Sequence, residues 1–346
     1  MKTEIFKVDS EHSPVIAHAA EVIKAGGLVV FPTETVYGLG ADALNEAAAK
    51  KIYAAKGRPS DNPLIIHISE PCEAEKYTHT SELYQKLAEK FMPGPLTVVM
   101  TAKDNVPLRT RGGLSTVAVR CPENPIAREL IRLSGTPIAA PSANLSGSPS
   151  PTNAGHVIED MDGRVDVVLD GGSSDFGLES TIVKIEDDGT LTLLRPGKIT
   201  AEELASIGAE IKISSAVTGG LREGETALSP GMKYKHYAPK TRFVLIDGKI
   251  EQICKYLNEK AGQKCALLAY AEDVDFVKKQ APAAFVHVLG SKSSEESQAK
   301  NLFRLLRDLD KEGYSEIFAP LPKKSGIGLA LYNRMIRAAA HSIIRL

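Results

Sequence analysis

Apolar positions along the chain change their period several times, and each change marks an element. After Ser13 and Pro14, the residues Val15, Ile16, Ala19, Val22 and Ile23 recur at helical spacing until Gly26. A helix with proline at its first position and glycine at its stop is expected there. A short apolar strand follows at 28–31. Asn45 caps a second predicted helix that ends at Lys56, with Gly57 as a left-handed terminator, so the helix end delivers Lys56 and Arg58 into a loop. Residues 64–68 alternate strictly, with Ile65 and His67 on one face and Leu64, Ile66 and Ile68 on the other. A helix from Ser81 is broken by Pro93-Gly94-Pro95, and 96–101 and 116–120 read as strands. In the second of these, Thr116, Ala118 and Arg120 share a face, and Val117, Val119 and Cys121 are expected on the core side. Asn124-Pro125 opens another helix, and residues 137–140 lead into the loop PSANLSGSPSP. Strands are expected near 165–170, 180–185 and 191–195, and Thr200 with Glu203 makes a capping box.

Between 209 and 239 the periodicity fails, and a stretch rich in Gly, Ser, Pro and charge reads as a linker. Beyond it, strands at 242–246, 266–270, 285–289 and 316–319 alternate with helices at 249–261, 294–312 and 328–340. Strand and helix in alternation predict a parallel, doubly wound sheet. The fold class is α/β: a mixed, twisted domain over 1–208, a linker or lid over 209–240, and a smaller Rossmann-like domain over 241–346. In the last of these the strand ends carry no evident convergence of titratable groups, so no second catalytic site is expected there.

A chain of 346 residues with 43% apolar and 25% charged positions is that of a globular protein with two domains. Net charge is −1 and the pI about 6.7, so no whole-molecule field draws in nucleic acid or membrane, and a polyanion site has to be a local patch. Cys72, Cys121, Cys254 and Cys265 form neither a CxxC pair nor a Cys/His metal spacing, and read as reduced thiols. With no basic-then-apolar leader and no apolar run approaching 18 residues, a cytoplasmic protein without membrane contact is expected.

Chemistry concentrates in FPTETVYGLG (31–40) and KGRPSDNPLIIHI (56–68), where a buried strand runs into hydroxyls, two cations, an Asn and a strand-borne His. A structural core does not need that density of polar groups, whereas a pocket for a small polar substrate and a phosphate does. The chain has no GxxxxGK[ST], HExxH or GxSxG. Residues 38–43 fit GxGxxA with Asp61 beyond, but Pro32-Thr33-Glu34-Thr35 separates strand from glycines, which argues against a dinucleotide turn. Lys56 and Arg58 taken alone suit a solvated helix C-terminus. With Asn62, His67, Arg120, Ser142, Asn144 and Arg195 arriving from strand ends, they instead suit a triphosphate held by side chains. Arg120, on a strand otherwise of Val, Ala and Thr, requires an anionic partner, either a substrate carboxylate or a protein Asp or Glu. Ser142 and Asn144 also suit a turn, Ser180 a strand edge, and His67 and Tyr37 a core. The segment 229–237, with Lys233, Tyr234, Lys235, His236 and Tyr237, suits either a tether or a lid that closes over a nucleotide.

Taken together, FPTETVYGLG, the KxR of Lys56 and Arg58, DNPL at 61–64, His67, PSAN with Ser142 and Asn144, SPGMKYKHYAP and GIGLALYNR (326–334) resemble the threonylcarbamoyl-AMP synthases in their two-domain form, with a YrdC-like catalytic domain, a linker and a Rossmann-like domain. The resemblance covers essentially the whole chain. It implies condensation of L-threonine, bicarbonate and ATP to threonylcarbamoyl-AMP and pyrophosphate, with Mg²⁺ accompanying ATP. The product would pass to a tRNA threonylcarbamoyl transferase complex, without direct tRNA contact being required. Carried onto this sequence, it implies that Thr33 or Thr35, His67, Arg120, Ala140 (through its backbone) and Ser180 hold threonine. Lys56, Arg58, Asn62, Thr116, Ser142, Asn144, Ser150, Arg195 and Tyr237 would hold ATP, with Lys56 and Arg58 as catalytic cations; the metal ligands stay unassigned. An RNA-binding module on the same fold is the alternative, disfavoured by the neutral charge and the want of aromatic-plus-basic strand motifs. Carbamoyl transfer in hydrogenase maturation would call for acylphosphatase and zinc-finger segments that this sequence lacks.

Overall fold

Local signals are obeyed closely where side chains cap the backbone. In the computed structural model, which describes residues 2–219 and 237–346, Asn45 accepts hydrogen bonds from the Ala47 and Ala48 amides, and Gly57 closes the same helix at φ 61°, ψ 36°. The described residues form two units, 2–146 with 150–219, and 147–149 with 237–346.

The first unit runs β1 (Glu4–Lys7), α1 (Pro14–Lys24), β2 (Val29–Phe31), β3 (Gly38–Asp42), α2 (Glu46–Lys56), β4 (Ile65–His67), α3 (Glu82–Phe91), β5 (Leu96–Thr101), β6 (Thr116–Arg120), α4 (Pro125–Ser134), β7 (Ile138–Ala139), α5 (Ala154–Met161), β8 (Val167–Asp170), β9 (Thr181–Ile185), β10 (Leu191–Arg195), α6 (Ala201–Ala205) and β11 (Ile211–Ile213). Its strands make one mixed sheet in the order β1-β8-β2-β3-β7-β4-β6-β5-β9-β10-β11. Ile16, Ala19, Ala20 and Ile23 of α1 pack with Ala127, Leu130 and Ile131 of α4 over Val29, Phe31 and Leu169. Thr200 and Glu203 form the expected reciprocal cap.

Residues 38–42 are a strand antiparallel to β2, so the glycines make no dinucleotide turn, in keeping with the argument against one. They serve packing instead, since a Cβ on Gly40 would lie 2.7 Å from both Ile138 Cγ2 and Phe31 Cε1. The face of β6 bearing Ala118 is no outer face: Ala118 packs with Ile65, Val99, Ile182, Leu194 and Ala216. The cover comes partly from the expected linker, whose start pairs as β11 along β10 and buries Ala216 and Val217. Its polar composition concealed a short edge strand. The remainder, 220–236, lies outside the described residues, and with it all of the expected lid except Tyr237.

The second unit runs β12 (Arg242–Asp247), α7 (Ile250–Glu259), β13 (Cys265–Tyr270), α8 (Val274–Gln280), β14 (Phe285–Gly290), α9 (Glu295–Leu309), β15 (Glu316–Pro320), α10 (Gly326–Ala338) and β16 (Ile343–Arg345). Its sheet has the order β14-β13-β15-β12-β16 with every pair parallel, as the alternation predicts. Titratable groups do converge near its strand ends, because Lys292 pairs with Asp273 at 2.5 Å and lies over the Tyr270 ring.

Gly40→Ala forces Phe31 and Ile138 apart and is expected to cost about 1–3 kcal/mol. Urea unfolding checks this; an unshifted midpoint would contradict the packing account of β3.

Candidate active site

Strand register sets the centre of the site. β4 pairs parallel with β6 so that His67 lies opposite Arg120, and β5 pairs antiparallel with β6 so that Thr97 lies on Arg120's other side. Directly opposed residues project to the same face, so the three side chains form a row. Arg120 is buried, and its Nη2 donates to Glu34 Oε1 at 2.6 Å and to Thr35 Oγ1 at 2.8 Å. The anionic partner that Arg120 requires is thus a protein carboxylate, Glu34, itself only 6% exposed. The pair is incomplete. Arg120 Nε, Glu34 Oε2 and His67 Nδ1 are buried and have no hydrogen-bond partner among the described residues. Buried polar atoms seldom go unmatched, yet three of them lie on this one group of residues.

Burial, and then the neighbouring Arg120 charge, lower the His67 pKa to about 3, so its ring is neutral near pH 7. Its ring meets Phe31 edge-on at 6.2 Å. Thr33 and Thr35 divide their work. The Thr33 hydroxyl accepts from the amides of Thr35 and Val36, each at 3.2 Å, and ties the turn, while Thr35 reaches the guanidinium.

On the other side of the row, Thr97 Oγ1 lies 2.8 Å from Ser180 Oγ. Arg195, at the end of β10, donates through Nε to Ser180 O at 3.0 Å and through Nη2 to Ser180 Oγ at 3.1 Å. One connected set therefore holds Thr35, His67, Arg120, Ser180 and Arg195. Ser150 donates to Glu179. The Ala140 amide donates to Ile65 O at 2.9 Å, so that N–H is committed to the sheet. Thr116, half-buried, opens β6 opposite Thr101.

A second set forms where α2 ends. Lys56 is no solvated helix terminus: it is 3% exposed, and its Nζ donates to the carbonyls of Ser142 and Asn144. The Ser146 amide donates back to Lys56 O at 2.9 Å, and Ser142 Oγ donates to Asn144 Oδ1 at 2.5 Å. Arg58 Nη2 donates to Pro63 O at 3.1 Å, and the buried Asn62 accepts from the Tyr53 hydroxyl through its carbonyl. The two sets are joined through the first turn. Gly38 bridges Ser142, the Ala143 amide donates to Tyr37 O, and the Gly177 amide donates to Thr35 O. Tyr237 belongs to the second unit, at φ 64° with its ring stacked on Phe303. Sequence reasoning passed over Glu34, Thr97 and Glu179. The signal for Glu34 was Arg120's need of an anion, read beside a carboxylate set within a buried turn.

A family model described as telomere recombination, for Sua5, YciO and YrdC proteins, matches residues 21–197. A second, described as threonylcarbamoyl-AMP synthase, C-terminal domain, matches residues 199–340. The threonylcarbamoyl-AMP synthase of Bacillus subtilis is 42% identical, with 100% of each chain covered. This chain belongs to the threonylcarbamoyl-AMP synthase family. The family member from Pyrococcus abyssi is 43% identical over 94% of both chains. A crystal structure of P. abyssi Sua5 complexed with L-threonine superposes with a TM-score of 0.89 over 99% of this chain and 100% of that one, at 42% identity. The structure of Escherichia coli YciO, 24% identical over 56% of this chain and 95% of its own, has a TM-score of 0.51 and shares the fold.

Because the His67 pKa falls from 6.5 to about 3 on folding, the unfolded chain takes up a proton below about 6.5 that the folded chain refuses. His67 therefore makes stability fall as pH drops through that window, by about 1.4 kcal/mol per unit. His67→Gln is expected to flatten that part of the profile of urea midpoint against pH; an unchanged slope would contradict the burial of a neutral ring.

Proposed function

We propose that the first unit condenses L-threonine, bicarbonate and ATP into threonylcarbamoyl-AMP and pyrophosphate. The observation that carries the reading is the buried Arg120, Glu34 and His67 group with its unmatched polar atoms, in a chain of this family. Arg120 receives the threonine carboxylate. Thr35, Ser180, His67 and the backbone of Ala140 surround the rest of the amino acid, with neutral His67 offered to the side-chain hydroxyl. Thr33 supports this wall through the turn it ties.

The nucleotide lies against the second set. Arg58 and Arg195 face the phosphates, and Asn62, Thr116, Ser142, Asn144 and Ser150 supply polar contacts. Lys56 adds its charge while fixing the Ser142–Asn144 loop through two carbonyls. Threonine's nitrogen forms a carbamate with bicarbonate-derived carbon. A carbamate oxygen then attacks the α-phosphorus in line and pyrophosphate leaves, the cations stabilising charge on the phosphoryl and leaving groups. No covalent enzyme intermediate is required. Mg²⁺ enters as part of the nucleotide substrate. Among the described residues no cluster of three His, Cys, Asp or Glu could hold a metal, which suits an ion carried mainly by phosphates and water. Among those residues no helix is long and apolar enough to cross a membrane. The reading places the enzyme in the cytoplasm, handing its labile adenylate to a tRNA threonylcarbamoyl transferase complex.

Pyrophosphate release measured with each of the twenty amino acids, with and without bicarbonate, tests this. Release should depend on both threonine and bicarbonate, and turnover indifferent to either would refute the reading. Arg58→Ala should lower kcat/KM about tenfold or more, the loss of one charge-assisted bond; a wild-type value would remove Arg58 from the site.

A further inference from the structure

The proposed reaction needs a proton acceptor. Threonine arrives with its amine protonated, since α-amino groups titrate near pH 8 or above, and an ammonium has no lone pair with which to attack carbon. We propose that Glu34 is the catalytic base of carbamate formation, holding the threonine nitrogen and taking one of its protons. The inference rests on the threonylcarbamoyl-AMP reading and deepens it.

Geometry selects Glu34. A carboxylate docked on Arg120 leaves the α-nitrogen, borne by the adjacent carbon, beside whatever else Arg120 touches. What Arg120 touches is Glu34 Oε1 and Thr35 Oγ1. Glu34 keeps a second oxygen, buried and unmatched, and Arg120 keeps Nε in the same condition. The remaining neighbours are poor acceptors. Arg120 and Arg195 are cations, Thr35, Thr97 and Ser180 are hydroxyls, and His67 is buried beside a positive charge, which opposes protonation. Cys121, next along the chain, is a neutral thiol whose pKa burial pushes up to about 12.

The step balances. Threonine's ammonium loses two N–H protons: one passes to Glu34, and one leaves with bicarbonate's departing hydroxide as water. The N–C bond forms, the C–OH bond breaks, and the carbamate keeps one N–H and one negative charge. Glu34 ends neutral and is reset by losing its proton to solvent after product release.

The test uses the full-length protein with threonine, bicarbonate and ATP. Glu34→Gln should raise KM for threonine and lower kcat about 100-fold or more near neutral pH, the usual reach of a general base. Its rate should then climb about tenfold per pH unit toward about pH 9, as the free amine forms without help, while the wild type stays nearly flat. Glu34→Asp keeps a carboxylate, so its rate should fall while its profile stays flat. A Glu34→Gln loss that is the same at every pH, or no loss, overturns the proposal, as does a Glu34→Asp profile that climbs; the last readout stands even where Glu34→Gln does not fold. The two readings separate in the wild type: if it releases no pyrophosphate with threonine and bicarbonate, the reaction itself is wrong, whereas a failure confined to the Glu34 variants removes only the base.

Discussion

A guanidinium buried in a sheet has to be neutralised by something, and that demand organises the first unit around Arg120. Its strand supplies no partner, so the carboxylate comes from the β2–β3 turn, with Thr35 beside it. Pairing two buried charges rarely stabilises a fold beyond what apolar residues in their place would do. The pair is also left part-satisfied, with polar atoms unmatched on both partners. As a stability device this arrangement is poor. As a receptor for a zwitterion it is apt, since an amino acid brings one negative and one positive group with the same spacing constraint.

The charge at Arg120 has consequences along the row. Together with burial, the larger cause, it keeps His67 neutral, so that the imidazole is not a third charge in the row. Across β5, Thr97 and Ser180 pass the alignment on to Arg195 without adding charge. Lys56 does comparable work at the end of α2, where its ammonium gathers the carbonyls of Ser142 and Asn144 and gives the loop one shape. Two cations are thereby spent partly on architecture, and the loop geometry they set decides where hydroxyl and amide donors face.

Much of this was legible in the sequence because the deciding forces are local. Caps and terminators placed α2 and the helix opening at Asn124, and strict alternation placed β4 and β6. Where forces act at long range, reading failed. Residues 38–42, whose glycines make room for Phe31 and Ile138, were assigned to no element, so β3 was missed. β11 is held by its neighbour β10 and not by its own composition. Ser180 read from its residues only as a strand edge, whereas Arg120's need of an anionic partner was legible from its apolar strand. Which anion fills it depends on a contact 86 residues away in sequence, which no local pattern encodes.

The second unit offers the informative contrast. It too brings charged groups to its strand ends, and a cavity of about 360 Å³ there is lined by Gly248, Ile253, Leu267, Ala269, Tyr270 and Lys292 among others. Yet Lys292 and Asp273 satisfy each other. Every buried side-chain nitrogen or oxygen lacking a hydrogen-bond partner among the described residues lies in the first unit. Convergence of titratable groups alone therefore does not mark a reactive site. What sets the group around Arg120 apart from that pair is that burial has been imposed on polar atoms with no partner among the described residues, a cost that a self-satisfied ion pair never incurs.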